Sequence, residues 1–234
     1  MSDDRATPVL EFDEAWLPLP DHEGMGVAID LALAPGDLVL VQPGDAQHER
    51  AIVDGACGLV PPRAGVVRFL GRAWTGLPPD QANALRGRIG LAFRRGAWLP
   101  YLTLLDNILL PQLYHTRRPE AELRDEAARL ARGFGLPGVP TGRPDEIAPA
   151  DQQRAACVRA FLGAPSLILI ESQGDGLVPG LLAPLINAMR AARDRDAAVL
   201  WFAQDPDLFD DPTIPATRRL RLHGATMTAL EATA

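Results

Sequence analysis

The sequence contains no lysine, because all 23 residues of the Lys and Arg class are arginines. No lysine ammonium is therefore available to clamp a phosphate, to form a Schiff base or to act as a general base. Cysteine is scarce as well. Cys57 and Cys157 lie far apart without the CxxC spacing of zinc sites, which argues against a zinc site or a disulfide framework and favours a reducing compartment. No apolar run reaches the ~18 residues that a membrane span needs.

An excess of basic charge is also lacking. The formal net charge is −7 over 234 residues, which argues against a nucleic-acid binder that works by neutralising phosphates. The hydrophobic fraction of 47% and the charged fraction of 23% are ordinary for a globular domain that buries a real core. The acidic, polar start Met1–Arg5 differs from a signal peptide, so we expect a cytoplasmic protein.

Apolar runs separated by turns predict the strands. Alternating or nearly alternating stretches at 9–12 and 27–33 are typical of half-buried antiparallel strands. Continuous apolar runs, which are typical of strands buried on both faces of a parallel sheet, occur at 38–41, 167–170 and 198–203. Further strands are predicted at 66–70 and 88–93, and a hairpin or edge strand at 218–230.

Helical periodicity dominates the middle of the chain. From Pro119 the apolar residues Leu123, Ala127, Leu130 and Phe134 recur at helical spacing, and Glu120 can pair with Arg124 one turn away. Further helices are predicted at 51–59, 150–162 and 184–193. Strands that alternate with helices, with a helical block between them, predict an α/β sheet with an inserted helical lobe.

Four segments, taken in order, resemble the ATP-binding subunits of ABC transporters: 88–111, 151–161, 165–179 and 199–205. They are similar to the family's Q-loop region, the helix after its signature, its Walker B strand with the D-loop, and its switch-histidine strand. The first segment is most similar to the ATPases of MCE-type (Mla-like) phospholipid transporters.

This resemblance implies a P-loop NTPase-like α/β fold with a mostly parallel sheet, an N-terminal antiparallel β layer and an inserted helical subdomain. It also implies one ABC-ATPase-like domain over residues 1–234. The expected division is a core lobe at 1–98 and 162–234 and a helical lobe at 99–161.

The family binds ATP phosphates on a Walker A loop, GxxxxGK[ST]. Here that loop aligns with Pro43, Gly44, Asp45, Ala46, Gln47, His48, Glu49 and Arg50. Pro43 and His48 replace the two glycines, and both obstruct the close backbone approach that glycine allows. Glu49 replaces the lysine and puts a carboxylate where an ammonium should meet the phosphates. Arg50 replaces the hydroxyl that binds Mg²⁺.

The other motifs of the family are altered in the same way. Arg94 replaces the Q-loop glutamine, and Gln204 replaces the switch histidine. At Walker B, Glu171 takes the place of the aspartate on the Mg²⁺ side, and Ser172 that of the glutamate that activates water. The signature LSGGQ aligns with Ile147, Ala148, Pro149, Ala150 and Asp151, and the D-loop with Asp175, Gly176, Leu177 and Val178, where the last residue replaces an aspartate.

Since every polar catalytic position differs while the apolar strands are kept, the sequence predicts an inactive ATPase homologue. None of the catalytic positions is intact, no metal site is predicted, and neither ATP nor Mg²⁺, the family's cofactors, is expected as a cofactor. Expected partners are an ABC permease, another ABC ATPase subunit, or both, at the inner membrane, with a dimer possible. The altered loop and signature would spoil both composite sites of a dimer, so we expect a structural, inhibitory or assembly role.

Two alternatives remain open at this stage. One is an active nucleotide hydrolase that uses unfamiliar residues, with Glu171, Asp175 and Asp45 as candidate metal ligands. The other is a free-standing regulator unrelated to transport. Trp16 lies near the position of the family's adenine-stacking aromatic, where a core or rim tryptophan is an equal expectation.

The sequence finally predicts how the phosphate site is filled. In an active relative the positions of Arg50 and Glu171 share a Mg²⁺, so we expect these two opposite charges to pair directly. Glu49 and Arg94 are expected to form a second pair across the same hollow.

Overall fold

The computed structural model describes residues 7–20, 22, 24–93, 96–172, 176–223 and 226–229. Within these ranges one ten-stranded sheet runs in the order β5-β4-β1-β2-β10-β9-β3-β8-β7-β6. Its strands are β1 (Leu10–Pro18), β2 (Gly26–Leu33), β3 (Leu38–Gln42), β4 (Ala64–Phe69), β5 (Arg72–Ala73), β6 (Ile89–Ala92), β7 (Leu167–Ile170), β8 (Ala198–Phe202), β9 (Arg218–His223) and β10 (Thr226–Ala229).

The predicted α/β architecture is confirmed. Strands β9, β3, β8, β7 and β6 pair in parallel, and the three continuous apolar runs form the neighbouring strands β3, β8 and β7. At the other end of the sheet β1 pairs antiparallel with both β2 and β4, which is the predicted antiparallel layer. The C-terminal stretch forms the predicted hairpin, with β9 antiparallel to β10.

The central strands are buried on both faces. In β3, Leu38 and Leu40 point into one apolar cluster, whereas Val39 and Val41 point into a second cluster across the sheet. Strand β7 alternates in the same way. Side chains of successive strand residues face opposite ways, so a strand between two cores must be apolar throughout. Two-sided burial therefore explains why these runs lack polar residues.

The described part of the chain contains seven α-helices: α1 (Ala46–Ala56), α2 (Pro79–Arg86), α3 (Leu104–His115), α4 (Glu120–Gly133), α5 (Pro149–Phe161), α6 (Leu182–Arg193) and α7 (Pro206–Asp210). Helix α1 begins five residues before its predicted start, because the side chain of Asp45 caps it. Helix α2 escaped prediction. The expected Glu120–Arg124 pair is present in α4, with an Nε···Oε1 distance of 2.8 Å.

Helices α3, α4 and α5 pack against one another and share one apolar cluster with the sheet. Helix α5 also lies close to β6. No helix in the ranges described above is long and apolar enough to cross a membrane.

Gly90 makes the close packing of α5 on β6 possible. A Cβ atom added at Gly90 would overlap the backbone carbonyl of Ala160. We expect Gly90→Ala to lower the free energy of unfolding by more than about 2 kcal/mol, because backbone must shift to relieve the overlap. Urea denaturation followed by circular dichroism measures the change.

The matched control is Gly133→Ala at the end of α4, where an added Cβ meets no atom within 4 Å. There the substitution should be neutral or stabilising by up to about 1 kcal/mol, since alanine favours a helix over glycine. Equal effects of the two variants would contradict the packing argument.

Candidate functional site

The candidate site lies at the carboxyl edge of the parallel strands. The loop that starts at Pro43 follows β3, Glu171 and Ser172 follow β7, and Gln204 lies just beyond β8. Parallel neighbours end at the same edge of a sheet, where α/β proteins usually bind ligands. The predicted residues of the Walker A, Walker B and switch positions are therefore gathered on one edge.

Asp45 occupies the amino end of α1. Its Oδ1 atom accepts hydrogen bonds from the backbone N–H groups of Gln47 at 2.8 Å and His48 at 2.9 Å. The His48 Nδ1 atom lies 2.8 Å from the same oxygen. Partial burial acts to raise the pKa of the Asp45 carboxyl, but the contacts with His48 and Gln47 outweigh it and lower that pKa below 3.8. An internal anion thus takes up donors at a helix end that would suit a phosphate.

Glu49 points inward from the first turn of α1 and is only 2% exposed. Its Oε1 atom accepts a hydrogen bond of 2.7 Å from the backbone N–H of Ser172. Ser172 is itself 1% exposed, so this bond is shielded from water. The Glu49 carboxylate is therefore held by the backbone just beyond β7.

The expected Arg50–Glu171 pair is wrong. Arg50 and Glu171 both belong to the described residues, and the carboxylate that Arg50 contacts within 4 Å is Asp54, with an Nε···Oδ2 distance of 2.6 Å. This hydrogen bond is the main cause that raises the pKa of the Arg50 guanidinium, and Glu171 adds only a through-space contribution. Arg50 pairs with Asp54 because the two residues lie one helical turn apart on α1, so their side chains meet without fixing a long-range contact.

Two predicted site residues, Arg94 and Asp175, lie outside the described residues. The second expected pair, Glu49 with Arg94, therefore stays a prediction.

The signature segment forms the start of α5. Ile147 follows a short 3-10 helix (Pro144–Glu146), and Ala148 precedes α5. Pro149 is the first residue of α5, where a proline is tolerated because the N–H at that position has no acceptor within the helix. Asp151 lies in the first turn, 3.5 Å from Arg154. Within the described ranges no hydrogen bond or ion pair joins residues 147–151 to the loop 43–50.

Gln153, which sequence reasoning missed, fastens the D-loop to α5. Its Nε2 atom donates to the carbonyl of Gly176 at 3.0 Å, and its Oε1 atom accepts from the N–H of Val178 at 2.7 Å. Arg154 adds a bond of 3.0 Å to the carbonyl of Pro179. The polar residues in the first turns of α5 indicate that this part of the helix makes hydrogen bonds. The sequence does not show that the partner is the D-loop, because that segment lies more than twenty residues further along the chain.

Trp16 packs against Gly26 on the neighbouring strand β2. A Cβ added at Gly26 would come within 2.6 Å of the Trp16 indole nitrogen. The half-buried indole therefore fits the expectation of a rim residue of the antiparallel layer.

These contacts limit the chemistry of the edge. The Ser172 hydroxyl is buried and has no hydrogen-bond partner, and Gln204 is exposed. No cluster of three or more His, Cys, Asp or Glu side chains suited to a metal occurs among the described residues. Two carboxylates, those of Asp45 and Glu49, already accept backbone N–H groups at this edge.

The fold and the gathered motif positions define the class of protein, and the comparisons agree. The chain belongs to the ATP-binding subunits of ABC transporters. The lipoprotein-releasing system ATP-binding protein LolD of Maricaulis maris is 32% identical over 180 residues, which are 76% of this chain and 78% of that protein. The macrolide export ATP-binding/permease protein MacB of Chromobacterium violaceum is 32% identical over 177 residues, 72% of this chain but only 27% of the relative. No protein-family model matches the chain.

Solved structures share the fold. The dimeric bacterial ABC transporter cassette MJ0796 superposes with a TM-score of 0.81 at 17% identity, covering 95% of this chain and 99% of that one. A post-hydrolysis dimer of the same cassette, bound to ADP and Pi, gives a TM-score of 0.78. At this identity the likeness shows the fold alone.

The Glu49–Ser172 contact predicts a stability effect. Glu49→Ala should lower the free energy of unfolding by about 1–3 kcal/mol, because it leaves the buried N–H of Ser172 without this acceptor. Glu49→Gln keeps a carbonyl oxygen and should cost less. Chemical denaturation measures both.

The control for both variants is Glu122→Ala on α4. That carboxylate is exposed, and its removal should change stability by less than about 0.5 kcal/mol. An effect of Glu49→Ala as small as that of the control would mean that the bond is not stabilising.

Proposed function

We propose that this chain is a non-hydrolytic member of its family that serves as a structural or regulatory subunit of a lipid transporter. The observation that carries the proposal is the buried carboxylate of Glu49 bonded to the Ser172 N–H, at the place where the family has its phosphate-binding lysine.

Electrostatics argue against phosphate binding at the loop. Asp45 and Glu49 place two carboxylates at the amino end of α1, and both already accept backbone N–H groups. A triphosphate would meet these charges at contact distance, where like-charge repulsion is strongest. It would also find the donors of Gln47, His48 and Ser172 in use.

The groups that drive hydrolysis are missing as well. Phosphoryl transfer depends on positioning and on stabilising charge that develops on the phosphate oxygens. The Ser172 hydroxyl takes part in no hydrogen bond and is not itself a base that could activate water, and the Gln204 amide does not titrate as a histidine does. Pro149 lacks an N–H donor at the signature helix.

A transporter role follows from the family. Two subunits of this family combine the loop of one with the signature of the other, and both parts are altered here. The subunit therefore acts as an assembly or inhibitory partner of an ABC permease, of an active ATPase subunit, or of both, and not as half of a motor. In this role we expect the subunit in the cytoplasm, against the inner membrane.

The lipid assignment rests on the Q-loop region, residues 88–111, which resembles the ATPases of MCE-type phospholipid transporters. The name of one relative, a lipoprotein-releasing ATP-binding protein, points to lipid-linked cargo for that relative. The chain spans 27% to 30% of the first two MacB relatives, so their export activity is a weaker guide.

We expect no Mg²⁺-dependent ATP hydrolysis by the purified chain. A phosphate-release assay should give the same rate as a mock purification, because positioning and charge stabilisation are lost together. Turnover above the mock that disappears in Glu171→Ala would overturn this expectation and support the alternative of an active hydrolase with unfamiliar residues. Glu49→Lys alone should stay inactive, since the parts of such a site act as a unit.

The partner is tested separately. Affinity purification of the tagged chain from its native cells should recover an ABC permease, whether or not ATP is present, because docking does not require a nucleotide at this site. Asp45→Asn serves as a matched variant, since it alters the loop but keeps the helix cap. Recovery of no transporter component would favour a free-standing regulator.

A further inference from the structure

Two stretches of chain connect the expected helical lobe, residues 99–161, to the rest of the molecule. The first leaves β6 and reaches α3, and the second leaves the end of α5 and enters β7. Arg159 lies in the last turn of α5, beside the second connection, and its side chain reaches across to the first. One side chain therefore joins the two connections.

The Arg159 guanidinium holds the turn formed by Gly96, Ala97 and Trp98, the 96–98 turn. It donates hydrogen bonds to the backbone carbonyls of Gly96 and, at 3.5 Å, of Ala97. It also lies 4.3 Å from the centre of the Trp98 ring and 5.1 Å from that of Phe93, where a cation is attracted to the aromatic face. Among the described residues, the hydrogen bonds that reach the 96–98 turn from another element are these two from Arg159.

The conformation of this turn is costly. Ala97 has a φ of 45°, in the left-handed region that disfavours any residue with a Cβ atom. The Trp98 indole nitrogen is buried without a hydrogen-bond partner, which is also unfavourable. Burial further disfavours the charge of Arg159 and lowers the pKa of its guanidinium to about 10. The closed turn is therefore held by a narrow balance, in which the contacts of Arg159 offset these costs.

The chain on either side of the turn is held by other bonds. Strand β6 pairs with β7 from Ile89 to Ala92. Beyond the turn, the buried Asn107 side chain of α3 accepts from the N–H of Leu99 at 2.8 Å and donates to the Leu99 carbonyl at 3.1 Å. Within the described part of this connection, the 96–98 turn can thus open without breaking the bonds of its neighbours.

We propose that Arg159 is a latch that fastens the 96–98 turn to α5, and that its release opens the turn and frees the connection between β6 and α3. The latch then sets how α3, which carries the exposed apolar residues Leu110, Leu113 and Tyr114, is placed against the sheet. This inference concerns a local movement. It does not rest on the proposed function, because it holds whether or not the chain hydrolyses ATP.

The indole N–H of Trp98 reports the state of the latch. The chain has four tryptophans, so an NMR spectrum shows four indole N–H signals, and Trp98→Phe identifies that of Trp98. Local opening predicts that the exchange of this proton with water does not change with urea below the unfolding transition. Trp201, fully buried in β8, should instead exchange through global unfolding and respond to urea. The same urea dependence at both residues would overturn the local opening.

Arg159→Met removes the charge and the donors but keeps a long side chain. The Trp98 indole N–H should then exchange at least about tenfold faster, still independently of urea, because opening no longer breaks the contacts of Arg159. Unchanged exchange would refute the latch. An acceleration that is equal at Trp98 and Trp201 would also refute it, because it would assign Arg159 a contribution to global stability alone.

The matched control is Arg219→Met. Arg219 lies on β9 and likewise donates to backbone carbonyls, those of Phe209, Asp211 and Ile214. Its removal should leave the urea-independent exchange of Trp98 unchanged. An acceleration as large as that of Arg159→Met would show that the effect is not specific to the latch.

Ala97→Gly keeps the proposal testable if Arg159→Met does not fold. Glycine adopts the left-handed conformation without the Cβ penalty, so the closed turn should be favoured and Trp98 should exchange at least about threefold more slowly. Its control is Ala121→Gly, at an exposed position of α4, which should leave this exchange unchanged. Exchange in Ala97→Gly as fast as in the wild type would contradict a strained turn held by Arg159.

Discussion

The buried hydrogen bond from the Ser172 N–H to the Glu49 carboxylate joins helix α1 to the end of β7 across 123 residues of sequence. A carboxylate is costly to bury without a donor, and a backbone N–H without an acceptor. Each group supplies what the other lacks, so the bond holds the first turn of α1 against the sheet edge. The same bond also shapes the chemistry of that edge. An anion that displaced the Glu49 carboxylate would break this bond and leave the Ser172 N–H without its acceptor.

The central strands and the candidate site at their carboxyl ends are under different constraints. Strands β3, β8 and β7 lie between two apolar clusters, so a polar substitution in them buries an unsatisfied group and costs stability directly. Beyond the carboxyl ends of these strands the chain tolerates polar residues, but only where they find a partner, as Glu49 and Ser172 do in their shared hydrogen bond. This explains how the chain keeps a TM-score of 0.81 to an ABC cassette while sharing 17% of its residues. A fold is retained by its core, and a function by its site.

The sequence predicted best the elements that are buried on both sides, because such burial restricts their residues to apolar types. The runs at 38–41 and 167–170 had to be strands between two cores. Helix α2 was missed because most of its residues are polar and only Ala82 and Leu85 are buried, too few for a visible period. The start of α1 was placed late because its first turn is polar, although Asp45 is a typical cap. In the site, Arg50 was paired with Glu171 because the residues at these two positions share a Mg²⁺ in active relatives. In the structure Arg50 pairs instead with Asp54, four residues further along the same helix.

The absence of lysine shapes the rest of the molecule as well as the loop. A lysine ammonium is strongly hydrated and loses its proton readily when buried, whereas a guanidinium is weakly hydrated, planar and charged in nearly every setting. Only a group of the second kind can lie between Phe93 and Trp98 and remain a cation, as Arg159 does with a pKa of about 10. The chain has no lysine ammonium anywhere, yet it keeps one buried positive charge, the Arg159 guanidinium packed on two aromatic rings.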